Sequence, residues 1–138
     1  MKLAILLQIA GLMHVGLLCA GGTMVRTVSL REHLRPLPPF IRQLFWVYFA
    51  FIGFLLVSFG ALTFLFAPEM AAGEPVARWL CVLLALFWTI RLAVAAFVFD
   101  VRPYLTSGFY RVGYHATNFV FVYLVAIYLW AAWKGGAP

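Results

Sequence analysis

The chain has 138 residues, of which 66 % are hydrophobic and only 10 % charged, with a formal net charge of +6. Soluble domains are nearer half apolar and a quarter charged, and a small one leaves about a third of its surface wet. A soluble globular enzyme, a disordered chain and a disulfide-stapled secreted domain are therefore excluded. The basic residues flank apolar segments, which assigns them to membrane topology and anionic lipid headgroups rather than to nucleic acid.

The first apolar run, residues 3–25, is long enough for the ~20 residues that cross a bilayer, and Gln8 and His14 interrupt it. Lys2, this run and Ala20-Gly21-Gly22 also fit a signal peptide with a small-residue cleavage site. Cleavage would leave the basic loop that follows on the outside, against the charge bias, so an uncleaved span is expected. Residues 26–38 form a polar, Arg-rich loop with Leu30, Leu34 and Leu37 as interfacial contacts. The second span covers residues 40–66, preceded by Pro38 and Pro39 and closed by Pro68. Residues 67–75 are expected to form a short turn. The third span, residues 76–99, carries one charge deep inside it, Arg91. A loop with Pro103 and Gly108 leads to the fourth span, residues 112–133. The expected fold is all-α, a four-transmembrane-helix antiparallel bundle forming one integral membrane domain over residues 1–138.

Basic residues orient it. Arg26, Arg31, Arg35 and Arg42 lie in or beside the first loop, and Arg102 and Arg111 beside the third. The other side has Lys2, Arg78 and Lys134, with Glu69 and Glu74. The positive-inside rule then puts both termini outside. Cys19 falls near the inner face and Cys81 near the outer, more than 10 Å apart in depth at ~1.5 Å per residue, so no disulfide is expected within one chain.

Counting from the helix ends gathers the intramembrane polar residues in the cytoplasmic half: His14, Tyr48, Arg91, His115 and Asn118. The outer half offers Gln8, Ser58, Thr63 and Cys81. An arginine at the centre of a membrane helix costs about 2.5–3.5 kcal/mol on insertion scales. Arg91 thus reads either as a site for a quinone, lipid phosphate or carboxylate, or as a stem that snorkels to the interface or bonds Asp100. Trp88, one turn earlier, is placed to stack on its guanidinium. His14 reads as a proton relay or metal ligand, or as a hydrogen-bonded core group; His115 reads as a wet interfacial side chain. Haem b held by His14 and His115 is disfavoured, because their depths differ by around 10 Å. Most aromatics, including Tyr128, Trp130 and Trp133 at the end of the fourth span, fit interfacial belts. Gly11 and Gly22 in the first span, and Gly53 and Gly60 in the second, fit close helix packing.

Arg42-Gln43-Leu44-Phe45-Trp46-Val47-Tyr48, Phe87-Trp88-Thr89-Ile90-Arg91-Leu92 and Phe97-Val98-Phe99-Asp100 resemble a family of small uncharacterised bacterial four-helix membrane proteins, a resemblance that implies no activity. In layout the chain is also similar to the membrane-associated eicosanoid and glutathione metabolism proteins. It departs from their Arg-x-x-x-Asn-x-x-Glu signature, since Arg42 is followed by Trp46 and Phe49. Ala20 to Arg26 resembles the first-helix glycine motif of small fluoride channels, whose later Thr-Phe-Ser motif is missing here.

The expected function is non-enzymatic: an accessory or interaction subunit of the bacterial inner membrane, with a lipid- or quinone-headgroup pocket at Arg91 on the cytoplasmic side. Its ligand-binding candidates are Arg91, Trp88, His14, Tyr48, His115 and Asn118; no catalytic residue, metal or cofactor is expected, with haem b and quinone as lesser readings. Its expected partners are anionic lipids and either another membrane protein or a second copy of the chain. The alternative is a membrane enzyme or redox subunit for a hydrophobic substrate, drawing on His14, His115, Tyr48 and Asp100. A third reading is a small transporter or channel, although no acidic residue lies centrally in the membrane as proton relays often require.

Overall fold

The computed structural model describes residues 1–134 of the chain. All of its regular structure is helical, and four helices are long and apolar enough to cross a membrane. The first, α1 (Lys2–Thr27), buries Leu3, Leu7, Ala10, Gly11, His14 and Leu17. Their spacing of three and four draws one stripe along the helix. Ser29, in the left-handed region at φ 47°, then turns the chain into the five-residue α2 (Leu30–Leu34). Leu34 is buried while Leu37 stays exposed, so the first loop is pinned by one leucine.

Helix α3 (Pro39–Leu65) begins on a proline, whose fixed φ and missing N–H suit a first turn. It ends three residues before Pro68. That proline does not close the second span as its sequence position suggests; it sits in the first turn of a further helix, α4 (Ala67–Ala72). The stretch expected to be a turn is therefore helical, with Ala67 and Met70 fully buried. Helix α4 stops at Gly73, which adopts φ 76°. The Gly73 N–H donates to the Glu69 carbonyl at 3.0 Å, and the Glu74 N–H reaches the same carbonyl at 3.2 Å. A left-handed glycine closing a helix end with both bonds relieves carbonyls that would otherwise lack donors.

Helix α5 (Pro75–Phe97) again starts on a proline. A single 3-10 turn (Arg102–Tyr104) leads to α6 (Gly108–Lys134). The Tyr110 N–H donates to Ser107 Oγ at 3.4 Å. With that cap α6 starts four residues before the predicted 112, because the polar Arg111 and His115 disguise its first two turns.

Helix α1 is central: it packs along α3 on one side and α6 on another, and α5 lies along α6. The α1–α3 crossing is set by two glycines. A Cβ on Gly11 would lie 2.9 Å from the Gly60 carbonyl oxygen, and one on Gly60 would lie 2.9 Å from the Gly11 carbonyl oxygen. Only glycine lets the two backbones meet there. Gly22 has open space around it, so the close approach does not extend to that end of α1.

The core is unevenly distributed. Helix α4 lies across the end of the bundle that carries Leu3, Met70, Ala77 and Ala131, touching α1, α3, α5 and α6. Toward the other end burial stops early: at Leu17 on α1, at Gly60 on α3 and at Phe121 on α6, with Ala95 the one buried residue beyond Trp88 on α5. The bundle is packed at its α4 end and open at the end bearing α2, the 3-10 turn and the loop arginines.

Candidate functional site

Helix α5 presents Ala77, Cys81, Leu84, Trp88 and Ala95 to the interior. At spacings of three and four, Arg91 falls on the same stripe, and its burial is intermediate. The sequence therefore directs a cation inward at the level where the core gives out. Its guanidinium carbon lies 5.3 Å from the centroid of Phe99 and 5.3 Å from that of Phe121. Both distances are within cation–π range. No side-chain hydrogen bond from Arg91 occurs among the described residues, although a guanidinium has five N–H donors. Asp100, one expected partner, instead accepts the Arg102 backbone N–H at 3.2 Å.

The expected stacking of Trp88 on Arg91 is not seen; the two are linked through Phe121. Trp88 stacks on Phe121 at 5.4 Å with an interplanar angle of 27°, and meets His14 edge-to-face at 5.2 Å. Trp88 faces the centre of the bundle. The flexible arginine stem leaves that direction for the open end, where Phe99 follows the last turn of α5. A ladder of contacts thus runs His14, Trp88, Phe121, Arg91, from the closed core to the open end.

At its core end His14 is 1 % exposed. Its Nδ1–H donates to the Ala10 carbonyl at 2.8 Å, which leaves Nε2 as a bare acceptor. Among the described residues neither His14 Nε2 nor the Trp88 indole N–H has a hydrogen-bond partner, although both are buried. The His14 ring also faces Tyr128, with centroids 6.5 Å apart. Tyr128 is fully buried and its hydroxyl is hydrogen bonded to Thr63 Oγ1 at 2.7 Å. It belongs to the core rather than to an interfacial belt. Tyr123 donates from its hydroxyl to the Leu6 carbonyl at 3.0 Å, a second polar tie of α6 to the first half of the chain.

The expected grouping of polar residues in the cytoplasmic half is thereby corrected. Of the six binding candidates the structure joins His14, Trp88 and Arg91. Tyr48 is 62 % exposed on the outer side of α3. His115 is exposed in the second turn of α6, its ring 5.5 Å from Tyr114, and Asn118 is half-buried one turn further on. The buried polar contacts that sequence counting missed, Thr63 with Tyr128, lie on the opposite side of His14, toward α4. The signal that would have found Tyr128 and Phe121 is the spacing Phe121, Leu124, Tyr128, Ala131, a core stripe on α6.

Cys81 is buried and Cys19 exposed, and both thiols are free. Among the described residues no group of three His, Cys, Asp or Glu side chains could hold a metal ion. Comparison with known proteins finds no matching family model, no matching curated protein and no matching solved structure.

Proposed function

We propose that the chain is a non-catalytic accessory protein of a bacterial cytoplasmic membrane that holds the polar headgroup of an amphiphile, a lipid or a quinone, beside Arg91. In this reading both termini are outside and the open end of the bundle faces the cytoplasm, which agrees with the arginines gathered on its two loops. The observation that carries the proposal is the state of Arg91: a cation at the edge of the packed core, flanked by Phe99 and Phe121, with no acceptor for its N–H groups among the described residues. In a low-dielectric setting such donors hold an oxygen acceptor strongly, and the exposed apolar flanks of the helices suit the ligand's hydrocarbon tail.

The test is substitution followed by mass spectrometry of what copurifies in mild detergent. Arg91→Leu removes the charged hydrogen bonds, about 1.5–3 kcal/mol, so the bound amphiphile should fall roughly 10- to 150-fold while expression and helicity persist. Arg91→Lys should retain part of the binding, as a point charge without the planar fork. Unchanged copurification from Arg91→Leu would sink the proposal.

A further inference from the structure

At the open end, a shallow cavity of about 360 Å³, open to the surface, is lined by Arg31, Arg35, Arg42 and Trp46. Three of its four lining residues are arginines and none is a carboxylate; Glu32, although adjacent to Arg31 in sequence, does not line it.

The cavity is built by two elements facing each other. Arg31 and Arg35 are one turn apart at α2, and Arg42 and Trp46 are one turn apart at the start of α3. Buried Leu34 anchors α2 against the bundle. Arg42 Nη1 donates to the Arg35 carbonyl at 3.5 Å, which ties the second element to the first. The Trp46 ring meets Phe45 and Phe49 edge-to-face at centroid distances of 5.8 and 5.9 Å, and those two rings stack on each other at 6.2 Å. Like charges one turn apart repel. Arg31 and Arg35 are exposed and Arg42 is half-buried, and an anion among the three would relieve their mutual repulsion. Guanidinium forks match phosphate oxygens in geometry, and a tryptophan at this depth is suited to the headgroup layer.

We propose that Arg31, Arg35, Arg42 and Trp46 form a binding site for a phosphate group, supplied by the headgroup of an anionic phospholipid. The inference rests on the proposed function only in taking this end of the bundle as the lipid-headgroup end of the cytoplasmic leaflet; it does not involve Arg91. The three arginines and the membrane surface chemistry together predict a preference for anionic over zwitterionic lipid on the order of a hundredfold.

The experiment uses the full chain in mild detergent and follows thermal unfolding as ligand is added, since a ligand that binds only the folded state raises the midpoint. The arms are phosphatidylglycerol, phosphatidylcholine and inorganic phosphate, each on the natural chain, on the triple variant Arg31→Gln/Arg35→Gln/Arg42→Gln and on Arg91→Leu. The expected result is stronger protection by phosphatidylglycerol than by phosphatidylcholine, with the excess lost in the triple variant and kept in Arg91→Leu. Equal protection by inorganic phosphate, also lost in the triple variant, supports the same site with a soluble phosphate ester as its natural source. Should the triple variant not fold, single Arg35→Gln carries the test: about a fivefold weaker response to phosphatidylglycerol is expected, and the natural chain's protection should decline as salt is added. Equal protection by phosphatidylcholine, no protection by any arm, or protection indifferent to the arginines overturns the pocket. Loss of phosphatidylglycerol protection in Arg91→Leu alone would also overturn it and leave the Arg91 reading standing.

Discussion

Tyr128 and Thr63 show how a single buried pair ties distant parts of the chain together. Their hydroxyls, 2.7 Å apart, join α6 to α3 inside an apolar core. Tyr128→Phe leaves the Thr63 hydroxyl to find a carbonyl on its own helix, a common escape for threonine in membrane helices. The loss is expected to be near 0.6 kcal/mol, the average for such bonds in a bilayer, and at most about 1.7 kcal/mol. Thr63→Val strands the phenol, which has no backbone carbonyl of its own within reach, and should cost more. The double variant should be more stable than the sum of the two losses predicts, and unfolding in mixed micelles measures all three. Simple additivity would mean the hydroxyls are not energetically coupled. Arg91 was legible at this scale because a charge in an apolar run stands out whatever its surroundings. Its partners were not: Phe99 and Phe121 are two of the chain's 14 phenylalanines, and nothing in the sequence marks those two as the rings that meet a guanidinium.

Among the helices, the crossing of α1 and α3 has the least tolerance. Gly60→Ala would place a methyl 2.9 Å from the Gly11 carbonyl oxygen and 3.0 Å from the His14 Cβ. Backbone atoms cannot yield as a flexible side chain can, so the helices must separate. Overpacking of this kind costs about 1–3 kcal/mol. Gly16→Ala, on the same helix as Gly11 but with open space around it, should be neutral or slightly stabilising. Thermal midpoints of the two alanine variants in one detergent check the contrast, and equal midpoints would remove the close-packing argument. The four long helices were plain from apolar length alone, to within a few residues at most ends. Helix α4 was not. Six residues give no readable periodicity, and Pro68 reads as a breaker until the neighbouring helix is known to end before it. Its buried Ala67 and Met70 carry weight only through the surfaces they meet, which lie on α1, α3, α5 and α6.

Seen as one body, the bundle has a sealed end and an open end, and the charges divide along the same axis. Arg31, Arg35, Arg42, Arg102 and Arg111 surround the open end. At the sealed end Arg78 is engaged, its Nε–H donating to the Ala132 carbonyl at 3.1 Å near the last turn of α6. That bond satisfies a helix-terminal acceptor; with Lys2 and Lys134 this end still carries fewer basic residues than the open end, and it also holds Glu69 and Glu74. The coincidence of sealing with the smaller basic count predicts that α4 faces outward. Single cysteines at Ser29 and at Gly73's neighbour Ala72, both exposed, make this measurable in a background with Cys19→Ala and Cys81→Ala. A membrane-impermeant maleimide applied to intact cells should label Ala72→Cys at once and Ser29→Cys only after permeabilisation. The reverse pattern would invert the bundle. The Arg31, Arg35 and Arg42 cavity would then face the outer leaflet, and the phosphate it holds would have to be supplied from that side.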